Sequence, residues 1–302
     1  MARLDIGFHE LPALGTILVS GAGARTFLQG QLSTDLASLT AQRALLASCN
    51  SAQGRVQAIM WVVERREGIA LVLPAAMVET IAMRLRKYVL RSKVTIDPAT
   101  ARLRVAAIEP TALPAGVSLG ESGTSHEHDG TSYIRLPGHE LILALTAESA
   151  DVDPARELQW QLEGIRAGLP QVYPATHEAF VAQMLNLDLV GGISFEKGCY
   201  TGQEIIARTH FRGAIKRRML HFAAACPPPA PATRIVSGES HAGDVVDAAP
   251  TPEGCELLAV VSLAQANDEL RLSDGVKLAR LELPYQVVDA PLTQPPTANR
   301  PL

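Results

Sequence analysis

The sequence predicts an α+β protein: two α+β lobes followed by a small antiparallel β-barrel. Three observations carry that prediction. Across the first 150 residues, strand-type runs alternate with helical periodicity, which suggests two similar α+β units. At Cys226-Pro227-Pro228-Pro229-Ala230-Pro231 the composition shifts, and no regular element can continue through it. Beyond it, residues 257–263 and 276–283 are short β-like runs cut by Gly, Asp and Pro, the spacing of a small barrel or sandwich. With 302 residues the chain has material for about two domains with cores of their own. The expected division is residues 1–222 for the α+β region of two interleaved lobes, 223–290 for the barrel, and a mobile, Pro-, Thr- and Asn-rich tail at 291–302.

Residues 16–20 read as a strand that runs into Gly21-Ala22-Gly23-Ala24, where a helix begins and sends Phe27, Leu28 and Leu32 to the core. The Gly-x-Gly here is an ordinary strand-to-helix turn. Thr26 occupies the third glycine position of a dinucleotide fingerprint, and no acidic residue follows about 20 positions on. Residues 45–49 and 56–63 read as strands joined by the turn-rich Asn50-Ser51-Ala52-Gln53-Gly54-Arg55. Residues 69–73 form another strand. Pro74 then opens a helix with Met77, Ile81, Leu85 and Tyr88 at helical spacing. The basic group Arg84, Arg86, Lys87, Arg91 and Lys93 reads as a solvated face, with a site for an anionic ligand tail as the alternative. Strands follow at 94–96, 103–108 and 141–145. Between the last two, 116–130 is a polar loop holding His126-Glu127-His128-Asp129, which lacks a second cluster to complete a metal shell. A helix over 157–167 stops at Gly168, and 215–222 reads as a basic strand.

The most specific signal is Lys197-Gly198-Cys199-Tyr200-Thr201-Gly202-Gln203-Glu204. Thr201 with Glu204 three positions on, ahead of Ile205-Ile206, has the pattern of a capping box. The pattern predicts a helix over about 202–212, with Arg208, His210 and Arg212 in its last turn and Gly213 as a left-handed stop. Cys199 then faces the orphan amides of the helix start, with Lys197 nearby, a setting that favours a thiolate. The bland alternative is a buried cysteine acting as a small hydrophobe.

The charge balance excludes a protein held to nucleic acid by bulk electrostatics, since the net charge is −4 with 47% apolar and 19% charged residues. Cys49, Cys199, Cys226 and Cys255 stand singly, which argues against a disulfide framework or a cysteine zinc site and for a reducing compartment. No leader is visible in Met1-Ala2-Arg3-Leu4-Asp5, and no apolar run reaches the ~18 residues of a membrane span. A cytoplasmic monomer without membrane contact is expected.

The stretch from Phe195 to Arg208, with its Lys-Gly-Cys-Tyr-Thr-Gly-Gln-Glu core, resembles the signature of the YgfZ family of folate-binding proteins. Phe27-Leu28-Gln29-Gly30-Gln31-Leu32-Ser33-Thr34-Asp35 resembles the amino-terminal motif of that family. Gly168-Leu169-Pro170, Gln183-Met184-Leu185-Asn186-Leu187-Asp188 and Gly191-Gly192-Ile193-Ser194-Phe195 follow in the family order. The resemblance covers about the first three-quarters of the chain. It implies kinship with the T-protein aminomethyltransferase of the glycine cleavage system, and so three lobes around a central channel. It also implies tetrahydrofolate, or a derivative, as cofactor. The implied partners are folate and iron–sulfur proteins or their assembly factors, including enzymes that modify tRNA, without direct nucleic-acid binding.

Two departures from the transferase matter. Gln57-Ala58-Ile59 stands where the transferase has an acidic pair, and neither Ala58 nor Ile59 can accept a proton. Arg166 aligns with the glutamate that holds the pterin, and an arginine offers only donors. Simple aminomethyl transfer is therefore not expected. The leading expectation is a folate-binding accessory factor for iron–sulfur proteins, with Cys199 as the reactive thiol and Lys197 lowering its pKa. Arg55, Arg166 and Arg208 belong to the channel wall, and Gln203 and Glu204 complete the cofactor-binding set while shaping the loop and cap. The alternatives are a folate-dependent transferase or demethylase, with Glu163 or Asp188 as substitute base, and a thiol redox protein in which Cys49 or Cys226 approaches Cys199.

Overall fold

The computed structural model describes residues 7–213 and 215–287, without the Arg212 side chain. The amino-terminal residues 1–5 read for a leader and the tail at 291–302 lie outside the described residues. Along the chain the elements are β1 (Phe8–Glu10), β2 (Leu14–Ser20), α1 (Ala24–Gln29), β3 (Leu45–Asn50), β4 (Val56–Arg65), β5 (Gly68–Pro74), α2 (Val78–Arg86) and β6 (Thr95–Pro98). Then come β7 (Arg104–Ile108), β8 (Ser125–His128), β9 (Thr131–Ile134), β10 (Ile142–Thr146), β11 (Asp151–Val152), α3 (Pro154–Arg166) and α4 (Gln203–Arg212). The remainder is β12 (Arg217–Ala224), β13 (Arg234–Ser237), β14 (Ser240–Thr251), β15 (Gly254–Ser262), β16 (Leu270–Leu272) and β17 (Leu278–Leu281).

These strands make three sheets in an α+β architecture. The first has the order β3-β4-β5-β2-β6, the second β11-β1-β7-β10-β9-β8 and the third β16-β13-β14-β15-β12-β17. The first two interleave in sequence, because β1 leaves the amino-terminal region to pair with β7 and β11 of the second sheet. In the third sheet the two edge strands β16 and β17 are consecutive in the chain and bridge at Arg271 and Lys277, so the sheet curls back on itself.

Strand β4 shows how the sequence produces the layering. Its alternate residues Ala58, Met60 and Val62 join the core under α1 and α2. Ile59, Trp61 and Val63 face the other way, into the core shared by all three sheets. A strand buried on both faces must be apolar at both parities, which is why this segment reads as a continuous hydrophobic run. In α2, Ile81 and Leu85 are fully buried as their spacing requires. Tyr88 departs from expectation: the helix ends at Arg86 with Lys87 as its C-cap, and the tyrosine is 47% exposed under the Arg84 guanidinium.

Other departures have physical reasons. The expected loop at 116–130 contains β8, which pairs with β9 in a hairpin whose turn places Asp129 at φ 47. His126, Glu127 and His128 therefore lie along a strand, and among the described residues no group of three metal-ligating side chains converges. The Pro-rich 226–231 connects β12 to β13 within the third sheet, so the boundary drawn at 222 and 223 falls inside strand β12 of that sheet. Helix α3 starts earlier than expected because Asp153 caps it, its carboxylate accepting from the Ala155 amide at 2.9 Å. No described helix is long and apolar enough to cross a membrane.

Candidate functional site

Two separate places carry chemistry. The first is the loop ahead of α4. Lys197 is buried, and its ammonium donates to the carbonyls of Gln29 at 2.6 Å, Leu32 at 2.7 Å and Thr34 at 2.8 Å. Three N–H groups meet three acceptors, so the side chain is a clasp between the two motifs. Burial pulls the Lys197 pKa down to about 8, opposed by the Asp35 charge. The clasp is reinforced by the Ser33 hydroxyl donating to the Gly192 carbonyl, the Ser194 amide to that of Ser33, and the Thr201 amide to that of Gly30. The Asp35 carboxylate accepts from the Ala37 amide and from Gln29, which hold its pKa below the usual range.

The cap differs from the expected box. Helix α4 starts at Gln203, and its N-cap is Gly202 at φ 83 with no side-chain hydrogen bond. A Cβ there would lie 2.5 Å from the Ser51 carbonyl oxygen, so the turn of the β3–β4 hairpin and the start of α4 require glycine at this contact. Thr201 is consequently outside the helix, and Glu204 is an exposed first-turn acid rather than the partner of a threonine cap. Gly213 is extended at φ −106, not left-handed.

Cys199 is exposed on this loop. The Lys197 ammonium expected to activate it is turned instead to the three carbonyls. Gln203 donates to the Lys197 carbonyl at 3.4 Å and Arg55 to the Ala179 carbonyl at 2.8 Å, while Arg208 is exposed on α4. Arg166 lies away from this group, paired with Glu256 at 2.6 Å, a bond that raises its pKa. Cys49 is fully buried, its thiol pushed up to about 11 by burial, and Cys226 interacts with Cys255. Arg84, taken for part of a solvated face, donates to Gln57, Gln31 and the Asn50 carbonyl and braces the hairpin turn from below.

The second place is a cavity of about 730 Å³ where the three sheets and α3 meet. That volume suits a ligand of cofactor size. Both tryptophans of the chain, Trp61 on β4 and Trp160 on α3, line it. His139 packs against Trp160 with ring centroids 4.2 Å apart, and burial lowers its pKa to about 4, so its ring is neutral at pH 7. The polar lining is Glu157, Gln161, Gln171, Tyr173 and Asp247. None of Cys199, Lys197, Arg55, Arg166, Gln203, Glu204 or Arg208 lines the cavity. Glu163 and Asp188, the substitute bases, lie elsewhere: Glu163 accepts from Gln159, and Asp188 is buried against Arg218 at 2.6 Å.

Asp247 is the residue that sequence reasoning missed. Its carboxylate accepts from Gln161 at 3.0 Å and the Ala248 amide at 2.9 Å through Oδ1, and from the Tyr173 hydroxyl at 3.0 Å through Oδ2. Burial lifts its pKa to about 6. The same burial, with the Asp247 charge beside it, raises that of Tyr173. The available signal was one acid inside the run Val245-Val246-Asp247-Ala248-Ala249.

No protein-family profile matches the chain. A relative from Klebsiella pneumoniae (strain 342), tRNA-modifying protein YgfZ, is 31% identical over 313 residues, covering 96% of each chain. A protein of the same name from Serratia proteamaculans (strain 568) is 31% identical over 95% of each. Among solved structures, the glycine cleavage system aminomethyltransferase T from Bartonella henselae is similar with a TM-score of 0.64 at 15% identity, over 92% of this chain and 85% of that one. At that identity the likeness shows a shared fold.

Proposed function

The chain belongs to the YgfZ family, and from that premise we propose that it is a tetrahydrofolate-binding accessory protein in tRNA modification, supporting the assembly or repair of iron–sulfur enzymes. The folate occupies the cavity between the sheets, and Cys199 acts at the surface on a docked protein. The observation that supports this division is the exposure of Cys199 outside a cavity walled by Trp61 and Trp160. The cavity fits a folate on its own chemistry: flat aromatic walls for a ring system, and a buried Gln171 Oε1 that no donor among the described residues satisfies. When bound, tetrahydrofolate supplies a carrier for one-carbon groups. The chain's own part is to wall the ring off from water and to hold its polar edge.

A transferase reading loses its candidate bases, since Glu163 and Asp188 are outside the cavity and Ala58 and Ile59 cannot act as bases. Redox action through Cys49 is disfavoured by its complete burial. Calorimetric titration with tetrahydrofolate is expected to show saturable binding; a flat response up to high micromolar ligand removes the cofactor half of the reading. In cells lacking the protein, Cys199→Ser is expected not to restore iron–sulfur enzyme activity. Full rescue by that variant removes the thiol half.

A further inference from the structure

The cavity contains a buried acid that has no counter-ion among the described residues. Among the described residues, the hydrogen-bond partners of Asp247 are Tyr173, Gln161 and the Ala248 amide, all neutral donors. Burying a carboxylate in this way is unfavourable, and the pKa of about 6 reflects it. A packed apolar residue at this position would stabilise the fold better, so a role beyond stability accounts for the acid.

Its placement also requires a local irregularity. Val245 packs into the third sheet's own core, and strict alternation along β14 would send Asp247 after it. The register of β14 against β15 shifts between Val245 and Asp247, a bulge that inserts Val246. Val246 therefore joins the central core, and Asp247 lines the cavity. Bulges commonly re-aim one side chain in this manner.

A carboxylate offers about four acceptor positions. Three are taken here, two on Oδ1 and one on Oδ2. One position on Oδ2 is left, and Gln171, two residues before the Tyr173 that orients Asp247, contributes a second acceptor, the buried Oε1 with no partner among the described residues. Two unspent acceptors in a cavity walled by Trp61, Trp160 and His139 suit a flat heterocycle with adjacent N–H donors along one edge.

We infer that Asp247 and Gln171 are the recognition pair for the N–H edge of the pterin ring, so that the ligand enters with its aminopyrimidine edge toward the bulge of β14. This rests on the folate reading above and assigns the orientation within it. It also removes Arg166 from that task, in keeping with its ion pair to Glu256.

The test uses the full-length protein and tryptophan fluorescence, because both tryptophans line the cavity. Wild type, Asp247→Asn and Gln171→Leu are titrated with 5-formyltetrahydrofolate, and separately with p-aminobenzoylglutamate, which lacks the pterin. The expected result is roughly 10- to 100-fold weaker binding of the pterin ligand by Asp247→Asn, as for loss of a hydrogen bond to a charged group, and about 5- to 10-fold by Gln171→Leu. Binding of the pterin-free compound is expected to be equal in all three. Urea denaturation, in which Asp247→Asn is expected to be at least as stable as wild type, verifies that the variants fold. Equal affinity of wild type and Asp247→Asn for the pterin ligand overturns the inference while the folate reading stands. Equal weakening toward both compounds also overturns it, because the residue then shapes the cavity rather than reading the ring. Wild-type protein that binds neither compound defeats the folate reading itself.

Discussion

The loop that carries Cys199 and the cavity that holds Asp247 are assembled on different length scales. The loop is held mainly by one other segment: the carbonyls of Gln29, Leu32 and Thr34 receive the Lys197 ammonium, and Gly30 and Ser33 receive backbone amides. The cavity takes its wall from β2, β4, β5, β10, α3, β14 and segments beside them, residues from Leu11 to Ala248 of which Leu169 alone falls in the quoted family motifs. The first region is polar in its bonding and open to solvent at its thiol. The second is walled by aromatic and apolar side chains and contains an acid whose burial raises its pKa. On the proposed reading, the Cys199 segment of the family signature is a presentation device, and the ligand is held mainly by residues outside that segment.

The largest effect that would break this comparison is in the clasp. Lys197→Met removes the donor from three buried carbonyls and is expected to cost about 3–6 kcal/mol in urea denaturation, from about 1–2 kcal/mol per bond left unmade. A loss under about 1 kcal/mol would mean that the ammonium is free for chemistry at Cys199. Gly202→Ala combines a left-handed backbone with a 2.5 Å approach to Ser51 and is expected to lose about 2–4 kcal/mol. Circular-dichroism melting checks it, and an unchanged transition would contradict the contact.

The cavity is expected to show the opposite sign. The folded pKa of Asp247, about 6, lies above its unfolded value of 3.8, so the folded state prefers the protonated acid. Its contribution is most favourable below pH 4 and is lost as pH rises through about 6, on the order of 3 kcal/mol in all. Other carboxylates, such as Asp35 and Glu256, have lowered values and push the other way. The quantity to measure is therefore the stability of Asp247→Asn minus that of wild type, which should grow between pH 4 and pH 7. A difference independent of pH would mean that the acid is not strained.

The smallest effects sharpen the contrast. Cys199→Ser, at an exposed position, should change stability by no more than about 0.5 kcal/mol. Arg166→Ala breaks a half-exposed pair with Glu256 and should cost no more than about 1 kcal/mol, with folate affinity unchanged. A clear loss of affinity in Arg166→Ala would return that residue to the ligand site.

What the sequence made legible follows the same division. The β3–β4 hairpin, the stop of α3 at Gly168 with φ 66 and the existence of α4, though not its cap, were readable because turn residues and apolar periodicity are local signals. Strand β14 was not, since Gly243, Asp244, Asp247 and Pro250 interrupt the alternation that marks a strand, and β13 and β16, with 4 and 3 residues, are too short to show a period. Thr201 was read as a cap because its spacing to Glu204 is right; the close approach of Gly202 to Ser51, a tertiary contact, moves the helix start instead. The partners of the Lys197 ammonium lie more than 160 residues away in sequence, so its proximity to Cys199 along the chain was a poor guide to where it points. Asp247 depends on a bulge, which no periodic pattern announces.

The separation of thiol and ligand is tested most directly by alkylating the protein with iodoacetamide, with and without saturating 5-formyltetrahydrofolate, while tryptophan fluorescence is recorded. Mass spectrometry of the peptide containing Cys199 gives its rate of modification. The ligand should quench Trp61 and Trp160 and leave the Cys199 rate unchanged within about twofold, because the thiol lies outside the cavity. Strong protection of Cys199 by the ligand, or binding without a change in tryptophan emission, would place the folate against the loop instead and contradict the account.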